Sequence, residues 1–205
     1  FDAHCHLQDE RLTVWLAEGG ADALIRANIL KTVVNGTHPG DWGRVADLAD
    51  EYEWVKPSFG LHPWYVNDRP RDWAEAFEEH LNRPDSAVGE IGLDRWIEGY
   101  DIDAQVDAFL YQYRLAQERR LPVSIHCLRA WGLLYDLLDA EGPSERGFLL
   151  HSYGGPVEMV DAFVKLGARF SFSAYFALES KSKKRAPFDR VPVDRLLIET
   201  DAPDM

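Results

Sequence analysis

Short apolar, β-branched runs alternate along this chain with longer stretches whose apolar positions recur at helical spacing. Extended runs are predicted at Phe1–His4, Ile29–Asn35, Val55–Leu61, Ala87–Gly92, Pro122–His126, Phe148–His151, Ala168–Ser173 and Leu196–Thr200. Between them, helical period is predicted over Thr13–Ala27, with a break at Gly19-Gly20, and over Trp42–Tyr52 and Asp72–Leu81. The clearest helical stripe is Val106, Phe109, Leu110, Tyr113 and Ala116, all on one face. Trp131, Leu134 and Leu138 mark another helix. Pro156, suited to a first helical turn, leads a helix through Val157, Val160 and Val164.

Strands alternating with helices imply parallel pairing through right-handed crossovers. Eight such strands point to an α/β fold, a (β/α)8 TIM barrel. An open doubly wound sheet is the alternative, but no GxGxxG phosphate loop supports it. On this reading a final helix would be missing, since only Ala202 to Met205 follow the eighth strand. The 205 residues are read as one barrel domain, 1–205.

A buried strand should be apolar, yet several of these end in His, Asp or Glu. Strand alternation puts Asp2, His4 and His6 on one face. Glu90 closes the fourth strand, His126 the fifth, His151 the sixth, and Asp201 follows the eighth. All of these ends lie at the C-terminal mouth, where barrel enzymes carry their chemistry. Unpartnered imidazoles and carboxylates are costly to bury. Divalent metal ions are the natural partner, and six donors suit two ions with open positions. The other polar residues read differently. His38 is expected to be a loop residue and His80 a solvated one on an outer helix. His62 is either a substrate contact or loop packing. Lys181, Lys183, Lys184 and Arg185 form a basic run, read as a solvated face or a flexible connection. Cys5 and Cys127 should point away from their neighbouring histidines and pack.

Charge narrows the function. The net charge of −13 is opposite in sign to that of proteins that grip nucleic acid broadly, so such a role needs a local positive site. Two cysteines make no disulfide framework, which suggests a reducing, cytoplasmic compartment. No apolar run is long enough to span a membrane, and no obligate protein partner is evident.

The motifs FDAHCH at 1–6, GLHP at 60–63, GEIGLD at 89–94, PVSIHC at 122–127, HSYGG at 151–155 and ETDAP at 199–203 resemble, in this order, the TatD family of metal-dependent deoxyribonucleases. The resemblance covers the whole chain. It implies metal ligands at His4, His6, Glu90, His126, His151 and Asp201, with Glu90 bridging two divalent ions (zinc, magnesium or manganese). Two departures stand out. Leu128 occupies a place where the family often has arginine, with Arg129 one residue later, and the family usually continues past ETDAP into a further helix. The implied reaction is phosphodiester hydrolysis from DNA ends. Water activated by the ions attacks phosphorus, Asp201 takes the proton, and His62, Arg129 and Tyr153 orient the phosphate. Two ions outweigh the charges of Glu90 and Asp201, which favours short or single-stranded ends over long duplexes. Hydrolysis of a small ester, amide or lactone is the alternative, and a non-catalytic metal-binding protein a third reading.

Overall fold

A computed structural model describes residues 1–204. Its eight strands are β1 (Asp2–Cys5), β2 (Thr32–Asn35), β3 (Val55–Phe59), β4 (Ala87–Asp94), β5 (Val123–Leu128), β6 (Phe148–Leu150), β7 (Ala168–Phe172) and β8 (Leu196–Ile198). They pair in sequence order, every pair parallel. The helices are α1 (Thr13–Trp15), α2 (Ala21–Arg26), α3 (Pro39–Glu51), α4 (Trp73–His80), α5 (Ile102–Arg119), α6 (Trp131–Glu141), α7 (Val160–Lys165) and α8 (Ala174–Ala177). The fold is the (β/α)8 barrel that the alternation predicts.

The seam between β8 and β1 closes just beyond the formal end of β8. The Asp201 amide donates to the His4 carbonyl at 3.0 Å, and the His6 amide donates to the Ala202 carbonyl at 2.8 Å. Asp2 accepts from the Thr200 amide at 3.0 Å and from the Thr200 hydroxyl at 2.6 Å. No helix follows β8 among the described residues, and Ile198 is left 59% exposed.

Several boundaries depart from the pattern for local reasons. The second strand begins at Thr32 rather than Ile29, because Asn28 turns left-handed (φ 61°) and the Ile29 amide bonds back to Leu24. The break at Gly19-Gly20 is present: Gly19 has φ 96°, and a Cβ on Gly20 would lie 2.4 Å from the Trp15 ring. α3 starts three residues before the predicted Trp42. His38, expected to be a plain loop residue, caps it: its Nδ1 accepts from the Gly40 amide at 3.0 Å, while Asp41 accepts from the His38 amide. His80, expected to be solvated, is half-buried. Its ring packs on Trp42 and Phe59 at 5.5 and 5.0 Å, and its Nδ1 lies 2.7 Å from the Ala76 carbonyl.

α5 buries Phe109, Tyr113 and Ala116 as predicted, but its inner face also carries Gln105 and Gln112. The Gln105 amide bonds both backbone groups of Asp94, at 2.8 and 2.9 Å. Gln112 does the same for Leu61, at 2.6 and 3.3 Å. β3 and β4 pair only through Ser58 and Phe59, so the strand ends beyond lack ladder partners, and the two glutamines supply them. Gln112→Leu is expected to orphan both backbone groups of Leu61 at about 1–3 kcal/mol each. A urea midpoint shift at unchanged m-value would report it.

Candidate metal centre

Two bulges aim the polar strand ends. β1 pairs Asp2 with Thr32 and Cys5 with Val34, so β1 carries one residue more than β2 between those pairs. That irregularity breaks simple alternation. His4 and His6 meet at the mouth, whereas Asp2 turns to Thr200 and serves the seam, contrary to the expected three-residue face. β4 pairs Val88 with Val123 and Ile91 with Ile125, so Gly89 and Glu90 stand opposite Ser124 alone. This bulge points Glu90 inward, and its amide donates to the Gly36 carbonyl at 2.8 Å. Gly92 must be glycine, since a Cβ there would sit 1.9 Å from the His126 carbonyl oxygen, at φ 152°.

Glu90 is 3% exposed, and its two oxygens face different partners. Oε2 lies 3.3 Å from His4 Nε2 and 3.2 Å from His6 Nε2. Asp201 Oδ1 lies 3.6 and 3.5 Å from the same two nitrogens, which are themselves 3.2 Å apart. On the other side, Oε1 lies 3.3 Å from His62 Nε2, 3.0 Å from His126 Nδ1 and 2.8 Å from His151 Nε2. Ligands at about 2.1 Å around a tetrahedral ion are about 3.4 Å from one another. The group around Oε2 has this spacing, longer than the roughly 2.7–2.9 Å of a charge-assisted hydrogen bond. The group around Oε1 is tighter, with His151 at hydrogen-bonding length. Nitrogen and carboxylate oxygen donors of this kind fit a divalent ion.

The family model described as TatD related DNase matches residues 1–205. This chain belongs to that family. It is 29% identical over 213 residues to an uncharacterized metal-dependent hydrolase of Escherichia coli K12, YjjV, covering all of this chain and 79% of that protein. The crystal structure of YjjV, a TatD homolog, superposes with a TM-score of 0.92 over the whole chain. A protein of Yersinia pseudotuberculosis named 3'-5' ssDNA/RNA exonuclease TatD is 30% identical, over 86% of this chain and 69% of its own length. This TatD-family chain is a metal-dependent hydrolase.

The TatD-family site has a second layer that strand-end reasoning missed. Asp94 Oδ2 lies 3.0 Å from His126 Nε2, on the far side of the ring from Glu90, and also accepts from the Trp64 indole at 2.6 Å. A proton held on Nε2 by Asp94 leaves Nδ1 as the donor atom. Likewise His4 Nδ1 contacts the Ser124 hydroxyl at 2.8 Å and His6 Nδ1 the Asn35 carbonyl at 2.8 Å, leaving both Nε2 atoms toward Glu90. Glu199 accepts from the Ser152 amide at 2.8 Å and from the Ser152 and Ser171 hydroxyls, tying the chain after His151 to β7 and β8. Asp94 and Glu199 sit inside the GEIGLD and ETDAP motifs, four residues after Glu90 and two before Asp201. That spacing was the only sequence signal for either.

His62 does both things: its Nε2 joins the cluster, while its Nδ1 accepts from the Trp64 amide at 3.2 Å and its ring packs on Trp64 in the loop. Tyr153, expected to orient phosphate, does not reach it. Its ring is fully buried against Trp131, Phe163 and Phe170, and its hydroxyl donates to the Pro156 carbonyl at 2.8 Å. Arg129 is exposed just past β5, in left-handed conformation (φ 55°), outside the cluster. Cys5 and Cys127 are free and buried, as the pattern predicts. Of the two readings of the basic run, the structure agrees with a solvated face: Lys183 and Lys184 are exposed, Lys184 donates to the Tyr175 hydroxyl at 3.0 Å, and Lys181 Nζ sits 4.6 Å from the ring centre.

Burial pulls His4 down to about 4, with His151 adding to the effect. Burial likewise takes His62 to about 4. Burial opposes the charge of Glu90, but His151, His62 and His4 hold it well below the usual carboxylate range. For His151, burial is outweighed by Glu90 and then Asp201, which raise it to about 9. A ligating imidazole must be neutral, so below about pH 9 an incoming ion displaces a proton from His151, while His4 has none to give at neutral pH. At His6 burial is likewise outweighed by Asp201 and Glu90, and at His126 by Asp94 and Glu90, so these ligands give up protons as well. Metal affinity is therefore expected to rise with pH through about 9, and calorimetry in buffers of differing ionisation enthalpy would count the protons released. Asp94→Asn should weaken metal affinity by about 10–100-fold, with activity recovering at high metal concentration in a titration.

Proposed function

We propose that this hydrolase cleaves phosphodiester bonds at the ends of DNA strands, with two divalent ions shared through Glu90. The observation that carries the proposal is the division of that one carboxylate, Oε2 toward His4 and His6, which Asp201 also meets, and Oε1 toward His62, His126 and His151. A phosphodiester suits such a pair because its two non-bridging oxygens develop charge together. The family description, and the single-stranded DNA and RNA exonuclease among the relatives, favour nucleic acid over small esters or lactones.

His4, His6, Glu90 and Asp201 would hold one ion, and Glu90, His126 and His151 the other. Bound there, zinc, magnesium or manganese would supply Lewis-acid charge and acidify water. The chain's own residues do the rest. Asp201 would accept the proton of the attacking water, a role its Oδ1 could serve beside His4 and His6. Asp94 keeps His126 in one tautomer. His62, below its usual pKa and so neutral at pH 7, accepts at Nδ1 from the Trp64 amide and would donate from Nε2 to a phosphate oxygen. The strand-end preference follows from the chain's net charge of −13, which repels a long duplex while the metal site attracts one phosphate.

Chelation is expected to abolish cleavage of an end-labelled oligonucleotide, and add-back of manganese, zinc or magnesium to restore it. Asp201→Asn should lower kcat by about 100-fold or more. Closed circular DNA should resist; equal cutting of circular and linear forms would overturn the end preference. Turnover of lactones or carboxylic esters without any oligonucleotide cleavage would overturn the proposal.

A further inference from the structure

The mouth carries an exposed aromatic residue in direct contact with the cluster. Trp64 follows β3 and is 45% exposed, yet its ring meets His62 edge-on at 5.0 Å and lies 6.3 Å from His126. Its indole N–H is tied to Asp94, so the ring is held in place before any ligand arrives. The same carboxylate, through Oδ1, accepts from the Trp96 amide, fixing the start of the next loop, where Trp96 and Tyr100 are also exposed. Trp64 therefore presents a fixed, half-exposed aromatic face directly beside the polar cluster.

The connection after β7, across the barrel from β3, carries a run of positive charge. Ser173 follows β7, and its hydroxyl lies 3.5 Å from that of Ser152, just past His151. Tyr175, two residues on, holds Lys181 and Lys184 against its ring and hydroxyl, with Lys183 and Arg185 alongside in sequence. β3 and β7 are four strands apart in an eight-stranded barrel, hence on opposite sides of the mouth, about 15 Å apart by strand spacing and tilt. The cluster lies between them.

We infer that a single nucleic-acid strand lies across the mouth, its terminal base stacked on Trp64 and its backbone running over the cluster toward Lys181 and Lys184. This inference rests on the nuclease reading above. Stacking on an aromatic face is indifferent to base identity, and paired lysines follow a backbone without reading sequence, so the path suits any single-stranded end. A duplex end presents its terminal base already paired and stacked, which makes Trp64 a specificity-determining residue.

The test uses the metal-loaded chain at saturating metal and two short oligothymidylates, prepared for each end, that differ only in whether the terminal nucleotide bears a base. Methyl p-nitrophenyl phosphate serves as a diester with no strand. The native chain should favour the base-bearing end by about tenfold or more in kcat/KM. Trp64→Phe and Trp64→Ala both lose the bond to Asp94, but only the alanine variant lacks the ring. The preference should persist in Trp64→Phe and vanish in Trp64→Ala. The pair Lys181→Gln and Lys184→Gln should make the plot of log(kcat/KM) against log salt shallower by about 1.4 for oligonucleotides, with no change for the small diester. A native chain indifferent to the terminal base, an unaltered preference in Trp64→Ala, or an unchanged salt slope would each overturn the path. A native chain that hydrolyses the small diester and neither oligonucleotide would overturn the nuclease reading instead.

Discussion

A carboxylate taken out of water loses several kcal/mol of hydration, which only well-placed opposite charge and hydrogen bonding can return. Glu90 is buried in that way, with five imidazoles from β1, β5 and the chain after β3 and β6 closing on its two oxygens. The rest of the mouth is built around that arrangement. The β4 bulge exists at Glu90, Gly92 lets β5 come close enough to bring His126, and the β1 irregularity puts His4 and His6 side by side. The charges of the cluster act on one another, raising His151 and depressing Glu90. A divalent ion held by these residues would take the place of protons on the imidazoles.

Around this centre lies a layer whose work is orientation. Ser124 and the Asn35 carbonyl turn His4 and His6, Asp94 turns His126, and Glu199 ties the chain after His151 to its neighbours. Gln105 and Gln112 reach from α5 to the ends of β4 and β3, so the helix secures the strands that deliver Asp94 and His62. Groups that fix the direction of a ligand cost little until one is removed, and then the ligand is free to turn. An acidic surface is compatible with a metal-dependent site, because charge on distant exposed side chains is screened by salt more than charge held at the buried mouth would be.

Much of this was legible in the one-dimensional pattern. Alternating apolar runs and helical stripes are set by local geometry, so they dictated eight strands, the order of the barrel and the mouth at which polar ends gather. His4, His6, Glu90, His126, His151 and Asp201 stood out because each interrupts an apolar strand end. Three-dimensional packing decided the remainder. A bulge adds a residue without altering the apolar pattern, which is why Asp2 was grouped with His4 and His6 but belongs to the seam. Tyr153 lies near the mouth in sequence, yet the space between α6, α7 and β7 claims its ring. The pairing of Asp94 with His126 and of Gln112 with Leu61 joins residues 32 and 51 positions apart, and only the closed barrel brings such groups within hydrogen-bond reach.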